Sequence, residues 1–389
     1  MSYPEPCWIR LPYILQGVGV VGQVGEQAKK LGGKKVLVVT DMGVIKAGLL
    51  KEVQQSLEDS RINYGVFDKC EPDAPEGVIR NCAQCAKDGS YDLLIGLGGG
   101  SSMDTAKLSA IATTEIDITP DIISRYLMEG LPASRLHSIM IPTTAGSGAE
   151  ISPGVVLTES NGFKNSVVGC LADVAIVDPK MTLNLPAGIT ADTGFDALSH
   201  ALEHWVHPKS TLICDALGEM AIKLISENLR AAYYDGPNRI DSRYNMAVGA
   251  TWSMAAGMAS TYVIMNHSLA YPLQCQAKIT HGRSIALLLP HVMEFNLMTN
   301  LPKYARLAEI MGENVAGLSA REAALKSIDA VRNLTQDLNL PQRLRDVDVK
   351  KEQIMSLVDN LFTHYDQRLR SNPRQVSRED ATSIYESAW

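Results

Sequence analysis

Residues 93–107 read LLIGLGGGSSMDTAK. The apolar run Leu93–Leu97 has the pattern of a buried strand, and the residues after Ser102 turn helical. Between them stand Gly98, Gly99, Gly100, Ser101 and Ser102. An ordinary strand-to-helix turn needs one glycine, not three. Successive glycines let the backbone come close to a phosphate, and the N–H groups at the helix start favour an anion. The stretch is neither the GxGxxG dinucleotide fingerprint nor the GxxxxGK[ST] loop, so phosphate binding is read from its chemistry.

Outward from this stretch, short β-branched runs alternate with helical ones. The pattern predicts strands at Val36–Thr40, Tyr64–Phe67, Leu93–Leu97, Ser138–Pro142 and Val174–Val177, with helices at Lys46–Leu57 and Gly77–Asp88. Strands separated by helices mean a parallel sheet with right-handed crossovers. Past Pro186 only helical patterns remain: 189–206, 212–234, 244–265, 282–298, 302–311, 320–338, 351–362 and 378–388. The expected fold is an α/β domain over residues 1–186 and an all-α domain over 187–389. Two features at the ends of strands suit a nucleotide. Asp41 can accept from ribose hydroxyls and repel a 2′-phosphate, or serve as a helix N-cap. Thr143, Thr144 and Ser147, in TTAGSGAE, form a hydroxyl-rich turn where such sheets bind ligands.

Composition narrows the class. With 389 residues, 46% hydrophobic and 20% charged, the chain can build two ordinary globular cores. A net charge of −7 without a basic run argues against nucleic acid, and no apolar run approaches a membrane span. The N-terminus lacks a signal-peptide layout, and the seven scattered cysteines show no metal-type spacing; Cys82 and Cys85 read as packing residues of a helix. A reduced, cytoplasmic setting is expected.

The second domain opens with ADTGFDALSHALEHWV, Ala191–Val206. Asp192 and Thr193 are the expected caps of this helix. Asp196 and His200 stand four apart, on one face. Alone they are an ordinary Asp–His contact. His267, read at the end of one helical run, and His281, read at the start of the next, make the set one carboxylate and three imidazoles. That set suits Fe²⁺, Zn²⁺, Mn²⁺ or Co²⁺ and leaves room for a substrate oxygen. His204 is expected beside the pocket and His291 in the packing.

GGGSSMDTAK, TTAGSGAE, VAIVDP, DTGFDALSHALE and HGRSIALLLPHVMEFN, in this order and spacing through to the closing IYESAW, resemble the motifs of the iron-containing (group III) alcohol dehydrogenases. The resemblance implies the dehydroquinate synthase-like fold, with an NAD-binding domain and a helical metal- and substrate-binding domain, and the metal and nicotinamide in the cleft between. It maps metal ligands onto Asp196, His200, His267 and His281. It maps cofactor contacts onto Gly98, Gly99, Gly100, Ser101 and Asp104, onto Thr143, Thr144 and Ser147, and onto Lys164. An acidic Asp41 implies NAD over NADP. Two positions depart from relatives. Tyr271 stands where many carry a second His four residues after the third ligand, so Tyr271 or water becomes the proton relay. Arg368 stands where relatives with small neutral substrates have a smaller residue, whereas Gly154 and Met258 add no bulk near the pocket.

The expected enzyme reduces a small aldehyde or oxidises a primary alcohol with NAD(H) and Fe²⁺. Arg368 points to a carboxylate or sulfonate tail on that substrate. Two alternatives remain, a reductase of neutral aldehydes or diols of the lactaldehyde or 1,3-propanediol type, and a non-redox, NAD-using lyase of the dehydroquinate synthase type. The apolar segment Ile9–Leu15 is expected to pair across a two-fold axis in a homodimer or larger homo-oligomer.

Overall fold

The computed structural model of the chain describes residues 9–258 and 263–389. It divides into two compact units, Arg10–Leu185 and Pro186–Trp389, the second also taking in Ile9. None of the described helices is long and apolar enough to cross a membrane.

The first unit is built on eight strands: β1 Tyr13–Gln16, β2 Lys35–Val39, β3 Asn63–Phe67, β4 Leu93–Gly98, β5 His137–Pro142, β6 Gly154–Thr158, β7 Lys164–Val168 and β8 Val174–Val177. Six of them form one sheet in the order β1-β8-β5-β4-β2-β3, with every pairing parallel. Helices α1 Val24–Lys30, α2 Met42–Lys46, α3 Leu50–Asp59, α4 Glu76–Asp88, α5 Gly100–Ala112 and α6 Ile122–Glu129 lie between the strands in sequence. Every residue of β4 is buried, as the unbroken apolar run requires of a strand covered on both faces. Cys82 and Cys85 lie on α4 as free thiols.

Register places the functional turns. Val36–Val39 pair with Leu93–Gly96, and Leu93–Gly98 pair with His137–Pro142. The chain therefore leaves β2 at Asp41, β4 at Gly99 and β5 at Thr143 along one edge. Close approach explains two glycines here. A Cβ on Gly96 would stand 2.7 Å from Met140 Sδ and 3.1 Å from Met103 Cα, and one on Gly98 would stand 2.6 Å from Ser102 Oγ. α5 thus packs directly on the strand that feeds it.

The hairpin β6–β7 is antiparallel and forms its own small sheet, which the alternating pattern did not reveal. Its strands are short and partly exposed: β6 reads GVVLT with only Val155 and Leu157 buried, and β7 reads KNSVV, opening on polar residues, unlike the fully buried runs that marked the main sheet. A buried ion pair ties it to α5. Lys107 Nζ meets Asp104 Oδ1 at 2.9 Å and donates to the carbonyls of Ala149, Ser152 and Gly154 at 3.0, 3.1 and 2.7 Å. Asp104 Oδ2 accepts from Val156 N at 2.9 Å. Both charges are enclosed and satisfied, the arrangement in which removing one partner is most destabilising.

The second unit is helical throughout its described residues: α7 Ala187–Val206, α8 Leu212–Asp235, α9 Ile240–Met258, α10 Met265–Ala277, α11 His281–Asn296, α12 Leu301–Ile310, α13 Ala320–Asp337, α14 Ile354–His364, α15 Asp366–Leu369 and α16 Arg378–Ala388. α7 is buried around nearly its whole circumference, packed by α8, α9 and α11. A helix so enclosed must find partners for every polar side chain it carries.

Two expectations are corrected here. α7 begins directly after Pro186, whose extended backbone is the N-cap, so Asp192 and Thr193 lie inside the helix and do not cap it. The Thr193 hydroxyl bonds back to Ile189 O at 2.8 Å. His267 stands near the start of α10, not at the end of a helical run, and α10 carries Pro272 in its interior. Pro272 reads in sequence as a break, yet the helix is buried from Met265 to Gln274 and packing holds it. Of the expected run 244–265, residues 259–262 lie outside the described residues.

Candidate metal centre and nucleotide turns

Asp196 and His200 leave α7 one turn apart, and α10 and α11 bring His267 and His281 to the same place. Around Asp196 Oδ1 stand His267 Nε2 at 3.4 Å, His200 Nδ1 at 3.5 Å and His281 Nε2 at 3.6 Å. The buried atoms Asp196 Oδ1, His200 Nδ1 and His267 Nε2 make no hydrogen bond to one another or elsewhere. They lie within 4.8 Å of one another as a set able to hold a metal ion. Ligand atoms about 2.0–2.1 Å from a tetrahedral ion stand about 3.3–3.4 Å apart. The residues present therefore fit a divalent cation. Burial is deepest at His267, whereas the His281 side chain is 27% exposed, so the cage is approached from the His281 side.

The charges agree with this. Burial pushes the Asp196 carboxyl up, but His200, His267 and His281 around it outweigh that and hold it below the usual range. Burial pushes the His200 imidazole down to about 4, so it is neutral, with a lone pair to give, at neutral pH. At His267 burial pulls down, but the facing carboxylates of Glu203 and Asp196 raise it to about 10.

Two buried acids outside the candidate ligand set aim the cage. Glu203 Oε2 accepts from His267 Nδ1, while its Oε1 accepts from Ile264 N at 3.2 Å and Asn266 N at 2.7 Å. Asp192 accepts from the Thr280 hydroxyl at 2.7 Å and from Arg283 Nε at 3.2 Å, on either side of His281. A Cβ on Gly282 would stand 2.0 Å from Asp192 O, so the start of α11 rests directly on α7. The sequence reading missed Glu203. The available signal was its place three residues after His200 and seven after Asp196, on the same helix face. His204 is buried, its ring parallel to that of His200 with centroids 6.1 Å apart. His291 is half-buried on α11.

Beside His281 the side chains form a stack. The Tyr271 ring lies 5.6 Å from the His281 ring and 14° from parallel. Arg368 NH1 donates to Tyr271 Oη at 3.0 Å, with the guanidinium 5.1 Å from the ring centroid. α15, which carries Arg368, is held by buried Leu369 and by reciprocal amide bonds between Asn372 and Asn296 at 2.8 and 3.0 Å. Arg370 behaves differently: 73% exposed, it pairs with Asp366 one turn back.

In the first unit the two expected turns meet. Thr143 N donates to Gly98 O at 2.9 Å, a Cβ on Gly99 would lie 3.7 Å from Thr144 Oγ1, and one on Gly100 would lie 3.0 Å from Ser147 Oγ. No side chain caps α5, so its first N–H groups face the glycine turn. Ser101 Oγ accepts from Asp73 N at 2.9 Å, and Asp73 Oδ1 pairs with Lys164 Nζ at 2.7 Å. Lys164 is thus on the same side as the turn. Asp104 points inward to Lys107 and shapes the turn from behind. Asp41 is the N-cap of α2, its Oδ1 accepting from Gly43 N at 2.8 Å and Val44 N at 3.0 Å, while Oδ2 accepts from Ser102 Oγ at 3.1 Å. Gly154 lies in β6 and Met258 ends α9.

A parallel α/β unit with a glycine-rich turn at its strand ends, and a helical unit with a set of side chains able to hold a metal ion, are the parts expected of a class of nucleotide- and metal-using enzymes. The family description "Iron-containing alcohol dehydrogenase" matches residues 12–179, and "Fe-containing alcohol dehydrogenase family, C-terminal" matches residues 190–389. The chain is 34% identical to the 1,3-propanediol dehydrogenase of Klebsiella pneumoniae over 380 residues, 96% of each protein. It superposes on the crystal structure of a 1,3-propanediol oxidoreductase with a TM-score of 0.93 and 32% identity, covering 99% of this chain and 100% of that one. It also superposes on the sulfoacetaldehyde reductase of Bifidobacterium kashiwanohense in complex with NAD⁺, with a TM-score of 0.87 and 26% identity over 100% and 99% of the two chains. The chain belongs to the iron-containing alcohol dehydrogenase family, and is an oxidoreductase.

Proposed function

We propose that the chain interconverts a small primary alcohol and its aldehyde, with NAD(H) bound by the α/β unit and Fe²⁺ held by Asp196, His200, His267 and His281. The same ligand set would accept Zn²⁺ or Mn²⁺. The observation that carries this reading is the convergence of three imidazole nitrogens 3.4–3.6 Å from Asp196 Oδ1, with Asp196 Oδ1, His200 Nδ1 and His267 Nε2 buried and without a hydrogen bond. The division of labour follows residues 1–186 and 187–389.

When bound, the metal supplies Lewis acidity toward a substrate oxygen and the nicotinamide carries the hydride. The protein's own part is positioning. Gly98–Ser101 and Thr143–Ser147 present backbone N–H and hydroxyl groups to the pyrophosphate, with Lys164 as a nearby cation. Tyr271, stacked on His281, presents a phenol able to donate or accept the proton that accompanies hydride transfer. Buried α7 and α10 keep bulk water from the cage. Arg368, fixed against Tyr271, recognises an anionic tail on the aldehyde. The similarity to a sulfoacetaldehyde reductase supports this reading, and the similarity to a 1,3-propanediol dehydrogenase keeps a second one, a neutral aldehyde or diol.

Cytoplasmic location belongs to the same reading, as does a homodimer. Edge strand β1 exposes Tyr13 at 64% and the adjoining Val18 at 57%, an apolar margin suited to a two-fold contact. Light scattering at micromolar concentration should give the mass of at least two chains; a single-chain mass refutes the assembly.

Replacing His281 by Ala should remove both bound metal and turnover. Stoichiometric metal with near-normal turnover in that variant would overturn the ligand assignment.

NADH should be used several-fold better than NADPH, because the Asp41 carboxylate repels a 2′-phosphate. Asp41→Gly should narrow the ratio at a cost of only a few tenths of a kcal/mol in capping. Equal kcat/KM for the two cofactors in the wild type would dismiss the role of Asp41.

Charge-assisted contacts of roughly 1.5–3 kcal/mol each would favour succinic semialdehyde or sulfoacetaldehyde over propanal at least about tenfold in kcat/KM. Arg368→Ala should erase that preference. A wild type that prefers propanal, with ratios unmoved by the mutation, makes the substrate a neutral aldehyde or diol.

A further inference from the structure

Glu203 is a buried carboxylate, 2% exposed, on a helix that is buried around nearly its whole circumference. Such a group persists only with its oxygens satisfied. Oε1 takes the backbone N–H groups of Ile264 and Asn266, the residues that lead into α10. Oε2 takes Nδ1 of His267, the next residue. One side chain therefore holds both the backbone and the ring of a single candidate ligand. A carboxylate in this setting is an acceptor only, so the shared proton sits on Nδ1. Nε2 then faces Asp196 Oδ1 at 3.4 Å, its lone pair available whenever no second proton occupies it.

We propose that Glu203 is a positioning residue of the metal centre, which fixes His267 in the tautomer whose Nε2 can ligate and clamps the start of α10 onto α7. This rests on the metal reading above. The geometry separates the two functions of the side chain. In Glu203→Gln the amide oxygen keeps Ile264 N and Asn266 N as donors. The amide NH₂ faces Nδ1 and can only donate, so the His267 proton moves to Nε2, where it blocks the ligand position. A nearby bond provides a control. Asn266 Nδ2 donates to Ser199 Oγ at 2.9 Å in the same core, without touching the His267 ring.

The test titrates the metal-free full chain with Co²⁺ alone, reading its visible absorption, in the wild type, Glu203→Gln and Ser199→Ala. Loss of an outer carboxylate partner of a ligating histidine weakens metal binding by about 10–100-fold. That loss is expected for Glu203→Gln, with thermal unfolding of the metal-free protein little changed, whereas Ser199→Ala should bind within about threefold of the wild type. Histidine ¹⁵N spectra give a second readout, independent of metal: Nδ1 of His267 protonated in the wild type and bare in Glu203→Gln. Glu203→Gln binding Co²⁺ as the wild type does would overturn the proposal and leave Glu203 as structural glue. Should that variant not fold, the Zn²⁺-loaded wild type decides, and a proton found on Nε2 of His267 overturns it equally. Should the wild type take up no Co²⁺, the metal reading fails, and the tautomers still decide the role of Glu203.

Discussion

The oxygen Asp196 Oδ1 faces three imidazole nitrogens, and much of the helical unit is arranged around that meeting. A carboxylate among buried rings costs several kcal/mol unless cations or hydrogen bonds compensate it. The three facing distances are too long for hydrogen bonds and suited to ligands sharing one ion. This constraint runs outward. α7 must be enclosed for the site to be dry, so its other polar residues need partners, and Glu203 and Asp192 find them on α10 and in the α11 region. The hydrogen bonds that satisfy α7 are therefore the ones that aim His267 and His281. Stability and site geometry are enforced by the same contacts.

A comparable economy holds in the α/β unit. The glycine turn is open because α5 lacks a capping side chain and because Gly96 and Gly98 let the helix sit directly on β4. The charge that keeps this packing in place is hidden behind the turn. Lys107 and Asp104 join α5 to the carbonyls of residues 149–154 and to β6. Asp104, which the motif alone associates with cofactor, pairs with Lys107 and accepts from Val156 N.

What could be read in advance follows from how local each signal was. The parallel sheet was legible because β4 and its neighbours are unbroken apolar runs. The Asp196–His200 pair was legible because a four-residue spacing on a helix is a contact. His267 and His281 came as residue types without geometry, since what joins them to α7 is tertiary. Their convergence needs Gly282 against Asp192 and the backbone N–H of Asn266 against Glu203, and neither pairing leaves a periodic trace. The hairpin β6–β7 was invisible because half-exposed strands mix polar with apolar residues. α10 was misread because Pro272 breaks an isolated helix but not one buried along most of its length. The expected caps Asp192 and Thr193 failed for a related reason: Pro186 already supplies the extended residue from which α7 starts.

Position 271 places a phenol one turn after His267 on α10. A residue one turn after His267 must lie beside His281, whatever its type. An imidazole there would be another titrating group beside an already crowded set of rings. A phenol instead brings an aromatic face and a hydroxyl at the far end of its ring. The face stacks on His281 at 5.6 Å, which restrains a ligand that is otherwise partly exposed. The hydroxyl accepts from Arg368 at 3.0 Å. The guanidinium then has both a ring to lie over and an oxygen to donate to, so it is held with an ordered orientation. Arg370, two residues on, lacks such a partner and pairs with Asp366 in solvent. Tyr271 and Arg368 are therefore best understood as one unit. The tyrosine makes room for a fixed cation beside the cage, and the cation gives the tyrosine hydroxyl a defined direction.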